Sequence, residues 1–250
     1  MAARGQLEVA GQRLEYLSLG AAPELVLLHE GLGCVSLWRD FPERLAAASG
    51  RGVFAYSRAG YGGSSPCALP RPLSYMEDEA EEVLPALLDA IGFRGGVLLG
   101  HSDGASIAAI YAGSQQDPRL EGLILIAPHF FTEPEGLAAI AEARVAYESG
   151  ELRDRLAKHH GANVDTAFWG WNRAWLDPDF AAWDITRFLP RIAVPTLILQ
   201  GGDDQYGTLR QIEAAQRLMT CRLEVEVLAD CRHAPQRERT LAVIADFLKP

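Results

Sequence analysis

The chain is poor in positive charge. Its 250 residues carry 23 Lys and Arg against 33 Asp and Glu, a formal charge of −10. Phosphate backbones and anionic membrane surfaces need a basic face, so neither nucleic acid nor membrane is expected as a partner. Cysteine is scarce as well: Cys34, Cys67, Cys221 and Cys231, with no C-x-x-C pair. A chain of this length buries a sufficient core without staples, so free thiols in a reducing compartment are expected. No apolar run reaches the length of a membrane span, and residues 1–8 lack the apolar stretch of a signal peptide. These absences predict a soluble, cytoplasmic protein. Internal repeats and low-complexity segments are lacking. His159-His160 have no cysteine or carboxylate at ligand spacing, so no metal site is expected.

What is present is an alternation of short apolar runs with helical stretches. Leu7-Glu8-Val9 and Leu14–Leu17 flank Ala10-Gly11-Gln12 and read as an antiparallel hairpin. Leu25–Leu28, Val53–Tyr56, Val97–Leu99 and Leu123–Ala127 read as buried strands, and the pattern resumes with Thr196–Gln200 and Leu223–Leu228. Helical periodicity runs over 38–48, over 75–91 with a kink expected at Pro85, from 105 to about 114, over 208–219 and over 240–248. The fold class is therefore α/β, a doubly wound, mostly parallel sheet. Between His129 and Arg191 no strand-like run occurs, and four of the five tryptophans lie there. We read residues 1–128 and 192–250 as the core domain and 129–191 as an inserted helical cap. Some cap rings fill space and others line a pocket, with Trp169 and Trp171 as the candidates for lining.

The chemistry centres on Gly100-His101-Ser102-Asp103-Gly104, a G-x-S-x-G pentapeptide between an apolar strand and a helix. A serine on so sharp a turn needs small neighbours, because strand and helix must approach closely. Its hydroxyl is a weak nucleophile and needs a base. His233 follows the last strand, and Asp203 and Asp204 follow the strand that begins at Thr196. The C-terminal ends of parallel strands converge on one edge, so Ser102, an aspartate and His233 are expected to meet there, in the chain order Ser, Asp, His. His233 would take the serine proton, and the aspartate would fix its tautomer. Backbone donors for an oxyanion are expected from Asp103 and from the His29-Glu30-Gly31 loop, where Gly31 allows close approach. His129, at the end of its strand, is a further candidate for bordering the pocket. His101 is expected to point into the fold, and Cys34 and Cys231 to be small buried hydrophobes.

These segments, with Ser57-Arg58-Ala59-Gly60-Tyr61-Gly62-Gly63-Ser64, give the chain a resemblance to the α/β-hydrolase superfamily over nearly its whole length. The G-x-S-D-G elbow most resembles small capped esterases of the valacyclovir hydrolase-like (biphenyl hydrolase-like) group. The resemblance implies a G-x-x-D pattern that places the acid at Asp204, with Gly201 as its glycine. It also implies a His-Gly-X oxyanion loop. Here Glu30 replaces the first glycine, and counting back from Trp38 aligns Gly31 with the family's donor. Serine rather than aspartate at position 102 argues against a dehalogenase or an epoxide hydrolase. Two carboxylates, Glu30 and Asp103, flank the expected site. Either both are structural, or they select a cationic substrate. The resulting expectation is a cofactor-free serine hydrolase acting on a small-molecule ester, as a monomer or homodimer. C–C bond hydrolysis, amide hydrolysis, acyl transfer and a non-catalytic binding or sensor role are the alternatives.

Overall fold

The computed structural model describes residues 2–234 and 238–249. Among these residues eight strands form one sheet in the order β1-β2-β4-β3-β5-β6-β7-β8. The strands are β1 (Ala2–Val9), β2 (Gln12–Leu19), β3 (Leu25–Leu28), β4 (Val53–Tyr56), β5 (Gly96–His101), β6 (Leu120–Ile126), β7 (Thr196–Gly201) and β8 (Leu223–Leu228). The β1–β2 hairpin and the β2–β4 pair are antiparallel, and every other pairing is parallel. This is the mostly parallel α/β sheet expected, with a helical insertion.

The central strands are continuously apolar because both faces of the sheet are covered. Val26, Leu28, Leu98, Leu123 and Leu125 face one side, while Leu25, Leu27, Val97, Leu99, Ile124 and Ile126 face the other. The period of two in each strand thus supplies both halves of the core. Helices α1 (Phe41–Ser49) and α9 (Glu238–Phe247) cover one face through Phe41, Leu45, Leu241 and Ile244. The other face is covered by α2 (Tyr75–Asp78), α3 (Leu84–Ala90), α4 (Asp103–Gln115) and α8 (Arg210–Leu218).

Two helices depart from expectation. The run expected over 38–48 is divided into a 3₁₀ turn, Val35–Trp38, and α1, because Arg39 takes a positive φ of 54°. The kink expected at Pro85 is a π-helical turn, Glu79–Val83, that joins α2 to α3 just ahead of the proline. A proline cannot donate to the preceding turn, and the wider π turn absorbs the missing bond.

Between β6 and β7 come α5 (Pro134–Glu148), α6 (Glu151–His160), α7 (Val164–Trp175) and the 3₁₀ turns Pro178–Ala182 and Thr186–Arg191. This helical region is tied to the sheet domain by buried polar contacts. Glu133, at the entrance to α5, accepts from the Thr208 N–H (2.9 Å), the Thr208 hydroxyl (2.6 Å) and the Gln211 amide (2.7 Å). His160 accepts from the Gly62 N–H (3.0 Å) and donates to the Leu32 carbonyl (3.0 Å). Both nitrogens of that ring are thereby occupied. Among the described residues no group of three or more His, Cys, Asp or Glu could hold a metal ion, and no helix is long and apolar enough to cross a membrane.

Candidate active site

Ser102 stands between β5 and α4 with φ 53° and ψ −118°, a conformation that costs a non-glycine residue about 1–3 kcal/mol. Its surroundings hold it there. The Ser102 N–H donates to the Ile126 carbonyl (2.9 Å), and its own carbonyl accepts from Ala105 (2.8 Å) and Ser106 (3.0 Å). The flanking glycines are required by space. A Cβ on Gly100 would lie 2.2 Å from the Gly104 carbonyl oxygen, and one on Gly104 would lie 2.1 Å from that of Leu28. Both are backbone obstacles that cannot swing aside.

His233 follows β8, and its Nδ1 lies 2.9 Å and 2.8 Å from the two carboxylate oxygens of Asp204, which follows β7. Asp204 is held from two further sides: Oδ1 accepts from the Tyr206 N–H (2.8 Å) and Oδ2 from the Gln200 amide (2.8 Å). Burial by itself would raise the Asp204 carboxyl, but the hydrogen bond and charge of His233 outweigh it and hold the group below its usual range. A carboxylate accepts only, so it holds a proton on Nδ1 of His233. Asp203 is exposed and makes no such contact.

The loop after β3 is pinned through its carbonyls. Arg58 donates to the His29 carbonyl (2.6 Å) and to the Glu30 carbonyl (3.1 Å). The Glu30 carbonyl also accepts from the Gly33 N–H (3.0 Å) and from His29 Nδ1 (2.7 Å). His29 is buried and neutral: burial and the Arg58 charge push it well below its ordinary value, and its Nε2 accepts from the Arg58 N–H (3.1 Å). In a trans peptide the C=O and the following N–H point oppositely. Anchoring the Glu30 carbonyl on Arg58 therefore turns the Gly31 N–H away from Arg58. Trp171 packs over Gly31 so closely that a Cβ there would lie 2.3 Å from its ring.

Ser102, Asp103, His129, His233, Glu30 and Gly31 border one cavity of about 140 Å³, closed by Leu32, Ile140, Trp171, Trp175 and Tyr206. A void of roughly 150 Å³ holds benzene, so the space suits a substituent of about that size. Trp169 does not line it. On α7, Trp171 and Trp175 are four residues apart and share the inner face, whereas Trp169 is turned about 200° from Trp171 and packs on Arg173, 4.8 Å from its ring. Spacing could have shown this. Trp175, Ile140 and Tyr206 are lining residues that sequence reasoning missed. Tyr206 sits two residues past Asp204 and stacks edge-on against His233 at 4.8 Å.

The two flanking carboxylates are internally engaged. Asp103 is fully buried, and its Oδ2 accepts from the Tyr75 hydroxyl (2.6 Å), which in turn accepts from Trp175 Nε1 (3.0 Å). Burial raises its carboxyl, only partly offset by Arg58 and Tyr75. Glu30 Oε2 lies 3.4 Å from His101 Nδ1. His129 lies 5.6 Å from His233 and 5.3 Å from Trp175, ring to ring. Burial, then the charge of His233, pushes His129 down to about 3. Cys34, Cys67 and Cys221 are free thiols, and Cys34 and Cys231 are buried.

The chain resembles known proteins in sequence and in fold. A family model described as "Alpha/beta hydrolase family" matches residues 25–247. The chain is 26% identical over 217 residues to N-formylmaleamate deformylase of Pseudomonas putida, covering 80% of this chain and 78% of that protein. Among solved structures, an enol-lactonase from Burkholderia xenovorans matches with a TM-score of 0.73 at 23% identity, covering 98% of this chain and 99% of that one. A thermophilic esterase from Thermogutta terrifontis matches with a TM-score of 0.75 at 21% identity, covering 99% and 98%. With the family model spanning β3 to β8, the elbow and the Asp204 and His233 loops, the chain belongs to the alpha/beta hydrolase family.

Proposed function

We propose that the protein is a serine hydrolase that cleaves a small carboxylic ester through an acyl-enzyme on Ser102. His233 takes the Ser102 proton during attack and returns it to the leaving alcohol. Asp204 holds the imidazole tautomer and stabilises the imidazolium. The backbone N–H groups of Gly31 and Asp103 receive the oxyanion, the second aided by its place at the start of α4. A water then attacks the acyl-enzyme, with His233 again as base. The cavity under α7 sets the size of the group accepted, and the G-x-S-D-G elbow supports a place near the valacyclovir hydrolase-like esterases. The observation that carries this reading is Ser102, at a strained turn, bordering one cavity with a histidine bonded to a buried carboxylate.

The test is covalent labelling with a fluorophosphonate and turnover of p-nitrophenyl acetate, in wild type and in Ser102→Ala. Labelling and turnover are expected in wild type and lost in the variant. Neither in wild type would leave a ligand-binding role for the fold. The deformylase relative favours one second reading, hydrolysis of a C–N bond by the same groups. An ester and an amide of the same acyl group, compared by kcat/KM, separate the two.

A further inference from the structure

His101, the residue before the nucleophile, touches two of the loops that build the site. It is buried, with its side chain 3% exposed. Its Nδ1 faces the Glu30 carboxylate at 3.4 Å, on the loop that carries Gly31. Its Nε2 faces the main-chain carbonyl of His233 at 2.8 Å, on the loop that carries the base. A carbonyl cannot donate to the ring, so Nε2 must bring its own proton, and the Glu30 carboxylate beside Nδ1 favours a second proton there. The ring neighbours of His101 among the described residues include Trp38 at 6.4 Å and His233 at 5.2 Å, and the Asp204 charge also acts on it.

Building on the hydrolase reading above, we propose that His101 is a permanent imidazolium that positions the His233 loop and compensates the Glu30 carboxylate beside the oxyanion donors. The chemistry requires such compensation. Glu30 stands immediately before Gly31 and borders the cavity, so an unpaired carboxylate there would oppose the negative charge that develops on the substrate oxygen. Burial alone would lower the His101 value and raise that of Glu30, yet each partner's hydrogen bond and charge reverses the trend in the other. The couple therefore adds no net charge to the site. Neither residue contacts the reacting atoms in this role; both act through Gly31 and His233.

Three variants test it. His101→Gln keeps an amide N–H that can reach the His233 carbonyl but removes the positive charge. It is expected to lower kcat roughly tenfold or more, with KM changed less than about threefold, as for coupled charges in contact. Glu30→Gln/His101→Gln removes both charges and is expected to recover most of that loss, while Glu30→Gln alone has a smaller effect than His101→Gln. A double variant no better than His101→Gln overturns the proposal. A second readout needs neither activity nor a variant. Long-range ¹H–¹⁵N spectra of the wild type at about pH 7.5, one unit above the ordinary histidine value, should show both His101 nitrogens protonated. A neutral tautomer there overturns it. If wild type neither labels nor turns over, the hydrolase reading fails, and the spectrum alone still decides the charge of His101.

Discussion

Asp204→Asn separates orientation from mere burial. The carboxylate receives the Tyr206 N–H on Oδ1 and the Gln200 amide on Oδ2, with His233 Nδ1 within 2.9 Å of both oxygens. In the asparagine variant the oxygen must stay opposite the Tyr206 N–H, since an NH₂ there would set donor against donor. The NH₂ then takes the place of Oδ2, facing Gln200 and His233. It donates to Nδ1, which accepts only when unprotonated, and His233 is trapped as the Nε2–H tautomer. That tautomer cannot take the Ser102 proton. Gln200 accommodates the change by turning its own amide, because its Oε1 is buried with no hydrogen-bond partner; the turn gives up its bond to the Gly207 carbonyl, about 1 kcal/mol. The fold is thus retained, while kcat falls by about 10⁴, or about 5.4 kcal/mol in the barrier. Initial rates on p-nitrophenyl acetate measure the loss, with circular dichroism to confirm folding and Asp203→Asn as an unaffected control. Retention of more than about a tenth of wild-type kcat would refute the assignment of Asp204.

Four further outcomes follow from the geometry. Gly104→Ala forces a Cβ to within 2.1 Å of a backbone oxygen and should cost about 3 kcal/mol or more in urea unfolding; a variant as stable as wild type would contradict the packing described. Trp171→Ala enlarges the cavity and should move the kcat/KM ratio of p-nitrophenyl benzoate to acetate upward by about tenfold, whereas Trp169→Ala should leave it unchanged. His129 stays uncharged in the folded chain down to about pH 3 but protonates near 6.5 when unfolded, so the unfolded chain binds more protons in that window. Its contribution is complete above the unfolded value and is lost as pH falls toward 3, by up to about 1.4 kcal/mol per unit. His129→Gln should therefore flatten the dependence of urea stability on pH between about 6 and 4, and parallel curves would exclude this. Cationic and neutral esters of equal size should be turned over alike in wild type and in Asp103→Asn, because Asp103 and Glu30 are engaged by Tyr75 and His101; a cation preference lost in the variant would restore a substrate-binding role for Asp103.

The legible parts of the chain are those governed by local rules. Continuous apolar runs located the strands β3 to β7, since a strand covered on both faces has few other ways to read. Gly100 and Gly104 located the turn at Ser102 because nothing larger fits. Strand-end convergence then brought His233 and Asp204 together, although 29 residues separate them. The misses are matters of three-dimensional register. Trp169 and Trp171 look alike as letters, and only their angle on α7 distinguishes them. Arg39 and the π turn before Pro85 are backbone choices that periodicity does not resolve. The Glu30–His101 contact joins two loops far apart in sequence, so neither residue carried a local signal of the other.

The order of the sheet also has a consequence for biosynthesis. β7 pairs on β6, and β8 pairs on β7, at the edge of the sheet. A nascent chain that has emerged as far as β6 already carries the serine turn, but neither its acid nor its base. Asp204 arrives with β7, and His233 only with the strand added last. On the proposed mechanism Ser102 therefore stays unassisted until β8 has paired, and recovery of turnover on refolding would report the docking of that strand rather than collapse of the core.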